Sequence, residues 1–115
     1  MKNIQHSELI HNLKKLSNEQ DVKLWKAIAL HLEKPTRQRR IVNLSKLNKV
    51  SKDNETILIP GKVLGSGSLD HKLTVAAFSF SDQAKEKIQL SNGNLLSIHE
   101  LMKNNPKGKN IRIIA

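Results

Sequence analysis

The sequence predicts a single small α/β domain. Three observations point there. Apolar residues recur at helical spacing through the first third of the chain. Runs with β-type composition follow at residues 56–59, 73–80 and 111–114, and short segments with helix-capping signals lie between them. The 115 residues are close to the common size of one domain, and no repeat, linker or low-complexity tract divides them. One domain over residues 1–115 is therefore expected, with N-terminal helices followed by an irregular arrangement of short strands and helices.

Leu9, Leu13 and Leu16 set the period of a first helix over residues 6–16. Ser17 and Gln20 have capping-box spacing, which predicts a second helix carrying Val22, Trp25, Ile28, Ala29 and Leu32 on one face. That helix must end before Pro35, because the residue preceding proline is driven out of the α region. Residues 35–40 show no apolar period and read as a loop. Asn43 is placed to cap a short helix with Leu44, Leu47 and Val50.

Residues 56–59 form a β-type run that Pro60 and Gly61 should end, opening a glycine-rich loop over residues 61–69. Residues 73–80 are the clearest strand, with Phe78 and Phe80 on one face; their near-continuous apolarity predicts burial on both faces. Ser81 should cap a helix with Ala84 and Ile88, Asn92 and Gly93 signal a tight turn, and Ser97 with Glu100 form a second capping box before Ile98, Leu101 and Met102. Asn104, Asn105 and Pro106 end that helix, and Lys107, Gly108 and Lys109 lead into a last strand.

The charge balance says more about function. Twenty Lys and Arg against ten Asp and Glu give a net charge of +10. A small body with that surplus repels itself and attracts polyanions, of which nucleic acid is the commonest. An anionic membrane is the competitor, but no stretch reaches the roughly 18–20 apolar residues of a spanning helix, and residues 1–10 lack the apolar core of a secretory signal. Cysteine is absent, so neither disulfides nor thiolate metal sites enter. Trp25, Phe78 and Phe80 are the only aromatic residues, too few for a base-stacking platform. Contacts to the phosphates and sugars of folded RNA are the expectation instead.

The sharpest electrostatic feature is residues 34–52: Lys34, Arg37, Arg39, Arg40, Lys46, Lys49 and Lys52, seven cations without one acid until Asp53. A solvated basic face is the plain reading; in a protein this basic, RNA contact is the better one. Lys103, Lys107, Lys109 and Arg112 make a second basic group, so the RNA surface would be bipartite. The loop containing Lys62, Gly65, Ser66 and Gly67 is not a P-loop, because no lysine follows the second glycine of the required spacing, and Asp70 breaks the dinucleotide pattern. Its glycines would let backbone amides approach an RNA phosphate. The histidines at 6, 11, 31, 71 and 99 lack metal-ligand spacing. Asp70 and His71 near Ser66 and Ser68 suggest a hydrolase triad only superficially, since neighbouring loop residues seldom hold that geometry.

Several ordered stretches carry a family resemblance: Leu32-Glu33-Lys34-Pro35, Val42-Asn43-Leu44-Ser45-Lys46-Leu47, Glu55-Thr56, Ile59-Pro60-Gly61-Lys62-Val63-Leu64-Gly65-Ser66-Gly67, Thr74-Val75-Ala76-Ala77, and Asn105-Pro106-Lys107-Gly108 before an Ile-rich end. Together they resemble the ribosomal protein eighteen-e family, the archaeal and eukaryotic relatives of bacterial ribosomal protein fifteen, over essentially the whole chain. The resemblance implies a structural, non-enzymatic constituent of the large ribosomal subunit without cofactor. It would be cytoplasmic, bound to large-subunit ribosomal RNA and neighbouring large-subunit proteins, with no membrane and no small-molecule substrate. The archaeal form suits the short ends. The chain departs from the family pattern at Thr36, where a basic residue is common, and at Ile41, where an acidic one is. The basic cluster is thereby displaced toward Arg39 and Arg40. The expected RNA-binding residues are Lys34, Arg37, Arg39, Arg40, Lys46, Lys49, Lys62, Gly65, Ser66, Gly67, Lys107, Lys109 and Arg112. The alternatives are a free-standing RNA-binding or regulatory protein and, more remotely, an enzyme acting at the glycine-rich loop.

Overall fold

The computed structural model describes residues 4–34 and 40–114. Among these, strands β1 (Arg40–Asn43), β2 (Glu55–Leu64), β3 (Leu73–Phe80), β4 (Asn94–Ser97) and β5 (Ile111–Ile113) form one sheet in which every pairing is parallel. Helices α1 (Ile4–Gln20), α2 (Lys23–Glu33), α3 (Leu44–Val50), α4 (Asp82–Leu90) and α5 (Ile98–Asn104) cover it. Strands β1 to β4 lie side by side in chain order, and β5 returns to β2. One side of β2 carries β3. The other is shared, with β5 against residues 56–58 and β1 against residues 61–64.

Right-handed crossovers place helices on one face while the chain advances across a sheet, and on the opposite face when it turns back. The packing obeys this. Leu44, Leu47, Ala84 and Ile88, from α3 and α4, bury against Ile57, Ile59, Val63, Val75 and Ala77. Helix α5 lies on the return path, and its Ile98, Leu101 and Met102 join Trp25, Ile28, Leu32, Leu9 and Leu13 of α2 and α1 on the other face, over Leu58 and Ala76. Both central strands are thus covered twice, which is why β3 reads as an almost unbroken apolar run.

Several local expectations hold. Helix α2 stops at Glu33 ahead of Pro35. Ser81 Oγ accepts from the Ala84 N–H at 3.2 Å. Ser97 and Glu100 make the reciprocal capping box, at 3.1 and 3.0 Å. Asn92, at φ 60°, closes α4 in a left-handed turn, and the Gly93 N–H reaches the Ile88 carbonyl at 2.9 Å. Among the described residues, the four non-glycine residues with positive φ are all Asp or Asn, the types that tolerate it.

Other expectations fail for identifiable reasons. Ser17 does not start a helix; α1 runs through it to Gln20, and α2 begins after Val22. The true break is Asp21 at φ 53°. Ser17, almost fully buried, instead ties the turn from inside α1, its Oγ donating to the Val22 carbonyl at 2.7 Å. Asn43 occupies the cap position of α3 but makes no side-chain cap bond. Strand β2 does not end at Pro60. It continues through Gly61 to Leu64, so only the second half of the expected loop is a loop. Pro60 falls between the stretch paired with β5 and the stretch paired with β1, and within the register shift against β3, where its missing N–H leaves no ladder bond unmade.

Gly61 is what admits β1, because a Cβ there would lie 2.0 Å from the Arg40 carbonyl oxygen. Arg40 accordingly opens a strand rather than closing a loop. Residues 35–39 of that expected loop lie outside the described residues. Phe78 and Phe80 also part company: Phe78 packs on the α1–α2–α5 side and Phe80 on the α3–α4 side. Phe80 is the last residue of β3, beyond the register shift between Ile59 and Lys62 of β2, and it pairs there with Val63, which packs on the same side.

Candidate nucleic-acid interface

The cations singled out by sequence distribute around the β1 edge and α2. Lys34 follows α2 as its C-cap residue and is exposed. Arg40 begins β1, also exposed. Arg37 and Arg39, between them, lie outside the described residues. Lys46 and Lys49 project from the outer face of α3, three residues apart, while Leu44 and Leu47 face the core. Lys62 lies in β2 with Ile41 of β1 on one side and Ser79 of β3 on the other. All three are exposed, Ile41 to 63%, so the helical layer on that face stops short of this row and leaves an open window on the sheet.

The tail cations sit at the opposite end of α2. The buried Trp25 donates its indole N–H to the Pro106 carbonyl at 2.7 Å, and Gly108 packs against Leu24 and Val22. Lys107 and Lys109 are exposed on either side of that anchor. Helix α2 is 11 residues long, about 16 Å at the α-helical rise, and this separates the two basic groups. Its exposed face carries Lys23 and Lys26 between them. Sequence reading passed these two over as ordinary surface charge; their signal is the spacing of three, which aligns them with Leu30 and Lys34 on one helical stripe. Arg112 differs from the rest. Its Nη1 donates to the Val50 carbonyl at 2.8 Å and pairs with Glu55 at 3.4 Å, fastening β5 to the end of α3.

Lys14 pairs with Glu33 between α1 and α2, and Lys15 with Glu19 within α1. Lys34, Lys49, Lys62, Lys107 and Lys109 make no ion pair among the described residues. His31 lies within the first basic group. Burial, then the charges of Lys34 and Arg40, hold its pKa below the usual 6.5.

The glycine-rich connection has a definite construction. Parallel strands normally need a crossover of about a dozen residues or more. Residues 65–72 link β2 to β3 in eight, laid between α3 and α4. On the α3 side, the Ser45 N–H donates to the Ser66 carbonyl at 3.0 Å, and Asn48 and Asp70 bond reciprocally at 2.8 and 3.0 Å. On the α4 side, Lys87 Nζ donates to the carbonyls of Gly65 and Gly67 at 2.8 and 2.7 Å, and Ser91 Oγ to that of Leu69 at 2.8 Å. A Cβ at Gly65 would lie 2.7 Å from Gln83 Cβ, and one at Gly67 2.6 Å from Ser45 Cβ. Lys87 was not among the residues singled out by sequence; only the fold brings it beneath the loop.

His71 does not meet Ser66 or Ser68. Its Nε2 is 2.8 Å from Ser51 Oγ, whose own proton goes to the Leu47 carbonyl. A serine that gives its proton to a backbone carbonyl is held by its histidine, not activated by it. Among the described residues no three His, Asp or Glu side chains gather at one point, and no helix is long and apolar enough to cross a membrane.

Comparison with known proteins bears directly on this surface. The family model described as "Ribosomal protein 60S L18 and 50S L18e" matches residues 1–115. This chain belongs to the L18/L18e family. Among L18/L18e relatives, the large ribosomal subunit protein eL18 of Methanothermobacter thermautotrophicus is 49% identical over 107 residues, 93% of this chain and 88% of the relative. Those of Methanoregula boonei and Sulfurisphaera tokodaii are 46% and 43% identical, over 94% and 92% of this chain and 89% and 90% of their own lengths. The L18/L18e assignment agrees with the resemblance carried by the Pro60 to Gly67 stretch. In three dimensions that stretch is the second half of β2 and the start of the β2–β3 connection.

Proposed function

We propose that this chain is a structural constituent of the large ribosomal subunit and binds large-subunit ribosomal RNA through its basic surface. One observation carries the reading: relatives that match more than nine-tenths of the chain at 43–49% identity are named as large ribosomal subunit proteins. The surface has the physical character the role requires. Lys34, Arg40 and Lys62 form one contact group at the β1 edge, extended by Lys46 and Lys49 along α3, and Arg37 and Arg39, between Lys34 and Arg40 in sequence, contact the RNA as well. Lys107 and Lys109 form a second, and Arg112 joins it as a cation already bonded to Val50 and Glu55. The turn at Gly65, Ser66 and Gly67 adds backbone contacts.

A rigid sheet between two cores presents these charges in a fixed register, so that their positions match phosphates without a cost of ordering at each contact. The role is non-catalytic, needs no cofactor, and belongs to the ribosome in the cytoplasm, with neighbouring large-subunit proteins as further partners. The whole chain acts as one ribosomal-protein domain. Sedimentation tests it. The chain should run with large subunits at one copy per particle, through washes that remove loosely held factors. Recovery at the top of the gradient, away from subunits, contradicts the reading and favours a free-standing RNA-binding protein.

A further inference from the structure

The connection between β2 and β3 holds its carbonyls in an unusual order. Three successive carbonyl oxygens, those of Gly65, Ser66 and Gly67, are all taken by the protein: the first and third by Lys87 Nζ, the second by the Ser45 N–H. No peptide bond among the described residues is cis. In a trans peptide the N–H points opposite to the C=O of the same unit. The amides that share those three units belong to Ser66, Gly67 and Ser68. The Ser66 and Ser68 amides are therefore turned the same way, away from α4, while the Gly67 amide is turned away from α3. All three residues are exposed, and among the described residues their N–H groups have no acceptor. Gly67, at φ 92°, makes the bend that only glycine accepts readily.

Two amides turned the same way across a left-handed residue make an anion-binding concavity, here backed by an ammonium group that cancels the inward carbonyl dipoles. The helix N-termini nearby do not supply the site. The Ser45 N–H of α3 already serves Ser66, and Asp82 occupies the first turn of α4.

We propose that the amides of Ser66 and Ser68, on either side of Gly67, form a preformed nest for one phosphate group, and that Lys87 is the positioning residue that sets it without touching the phosphate. This rests on the RNA-binding reading for its biological ligand, a backbone phosphodiester, but the nest itself is a property of the chain. A lysine that met phosphate directly would leave its carbonyl partners; here it anchors them.

The test uses the full chain, labelled with nitrogen-15, and inorganic phosphate as the probe at constant ionic strength set with potassium chloride. The amide signals of Ser66 and Ser68 should move together and saturate. Those of Lys62, Lys107 and Lys109 should drift only weakly, and chloride alone should move neither nest amide. K87M should weaken phosphate binding about tenfold, the loss expected when roughly 1.4 kcal/mol of preorganisation goes, and K87R should restore most of it. Uniform small shifts across all exposed amides overturn the proposal, as does K87M binding phosphate like the parent. The parent titration stands even if K87M folds poorly. A saturable nest in a chain that fails to bind large-subunit RNA would contradict only the RNA reading. RNA binding that leaves both nest amide signals unmoved would contradict only the nest.

Discussion

Trp25 and Pro106 are joined by a 2.7 Å hydrogen bond across 81 residues of chain, from the indole N–H to the carbonyl. This bond fixes the Lys107 and Lys109 segment to the N-terminal half of α2, and so sets the distance between the two basic groups. Trp25→Phe keeps an aromatic ring in the core but leaves the Pro106 carbonyl without its donor. We expect a loss of about 2 kcal/mol, the range for an unpaired, partly buried acceptor, measured by urea unfolding. The Lys109 N–H, bonded to Asn105 Oδ1 at 3.2 Å, should exchange with solvent faster in this variant. Unchanged exchange there would mean the tail is held by other contacts.

The three cap positions should separate in stability as they separate in geometry. Ser81→Ala and Ser97→Ala each remove an observed bond to a helix amide and should cost about 1 kcal/mol. Asn43→Ala removes no cap bond and should cost less than half as much. Denaturant midpoints at unchanged m value report the order. Equal losses at all three would show that the residue type, not the bond, matters here.

His31 supplies a pH signature. Its pKa in the folded chain lies below 6.5, through burial and the charges of Lys34 and Arg40. The folded state therefore binds fewer protons at this site than the unfolded state does. Its contribution to stability is complete above the unfolded value and is lost as pH falls through the folded pKa. Phosphates placed against Lys34 and Arg40 should raise the His31 pKa, so RNA binding takes up a proton and tightens as pH falls from 7. A proton NMR titration of the His31 ring, with and without a large-subunit RNA fragment, reads both effects. A midpoint that does not rise when RNA is bound would place the RNA elsewhere.

Much of this architecture is legible in sequence where a local rule has no rival. Ser81, Ser97 with Glu100, and Pro35 act through bonds or clashes within a few residues, and each behaves as its sequence position says. The 73–80 strand is legible because burial on both faces writes itself as unbroken apolarity. Pro60 misleads because its permission to sit inside β2 comes from β5 and β1 sharing one edge, a fact of topology. Strands β1 and β4 have four residues each, too few to show a period. Ser17 misleads because the turn that uses it, at Asp21 and Val22, comes only after α1 has run on through the serine to Gln20. The cations of the proposed site are visible as composition. Their grouping is not: Lys23, Lys26 and Lys87 enter only once α2 and α4 are placed.

The three arginines within residues 37–40 form the sharpest test of the RNA surface. Replacing Arg37, Arg39 and Arg40 with alanine should weaken binding to large-subunit RNA and flatten its salt dependence by about 2, at roughly 0.7–0.9 for each phosphate no longer neutralised. The fold should survive, since Arg40 contributes its backbone to the β1–β2 pairing and its side chain is exposed. Circular dichroism and a filter-binding titration together check this. A triple variant that binds as the parent does removes the cluster from the interface.

The most direct measurement is the affinity of the intact chain for large-subunit ribosomal RNA across a potassium chloride series. Displacement of counterions by a fixed basic surface predicts a straight fall of log K with log salt, with a slope near −4 if about five phosphates are neutralised. An affinity that stays level as salt rises would contradict the account at its root.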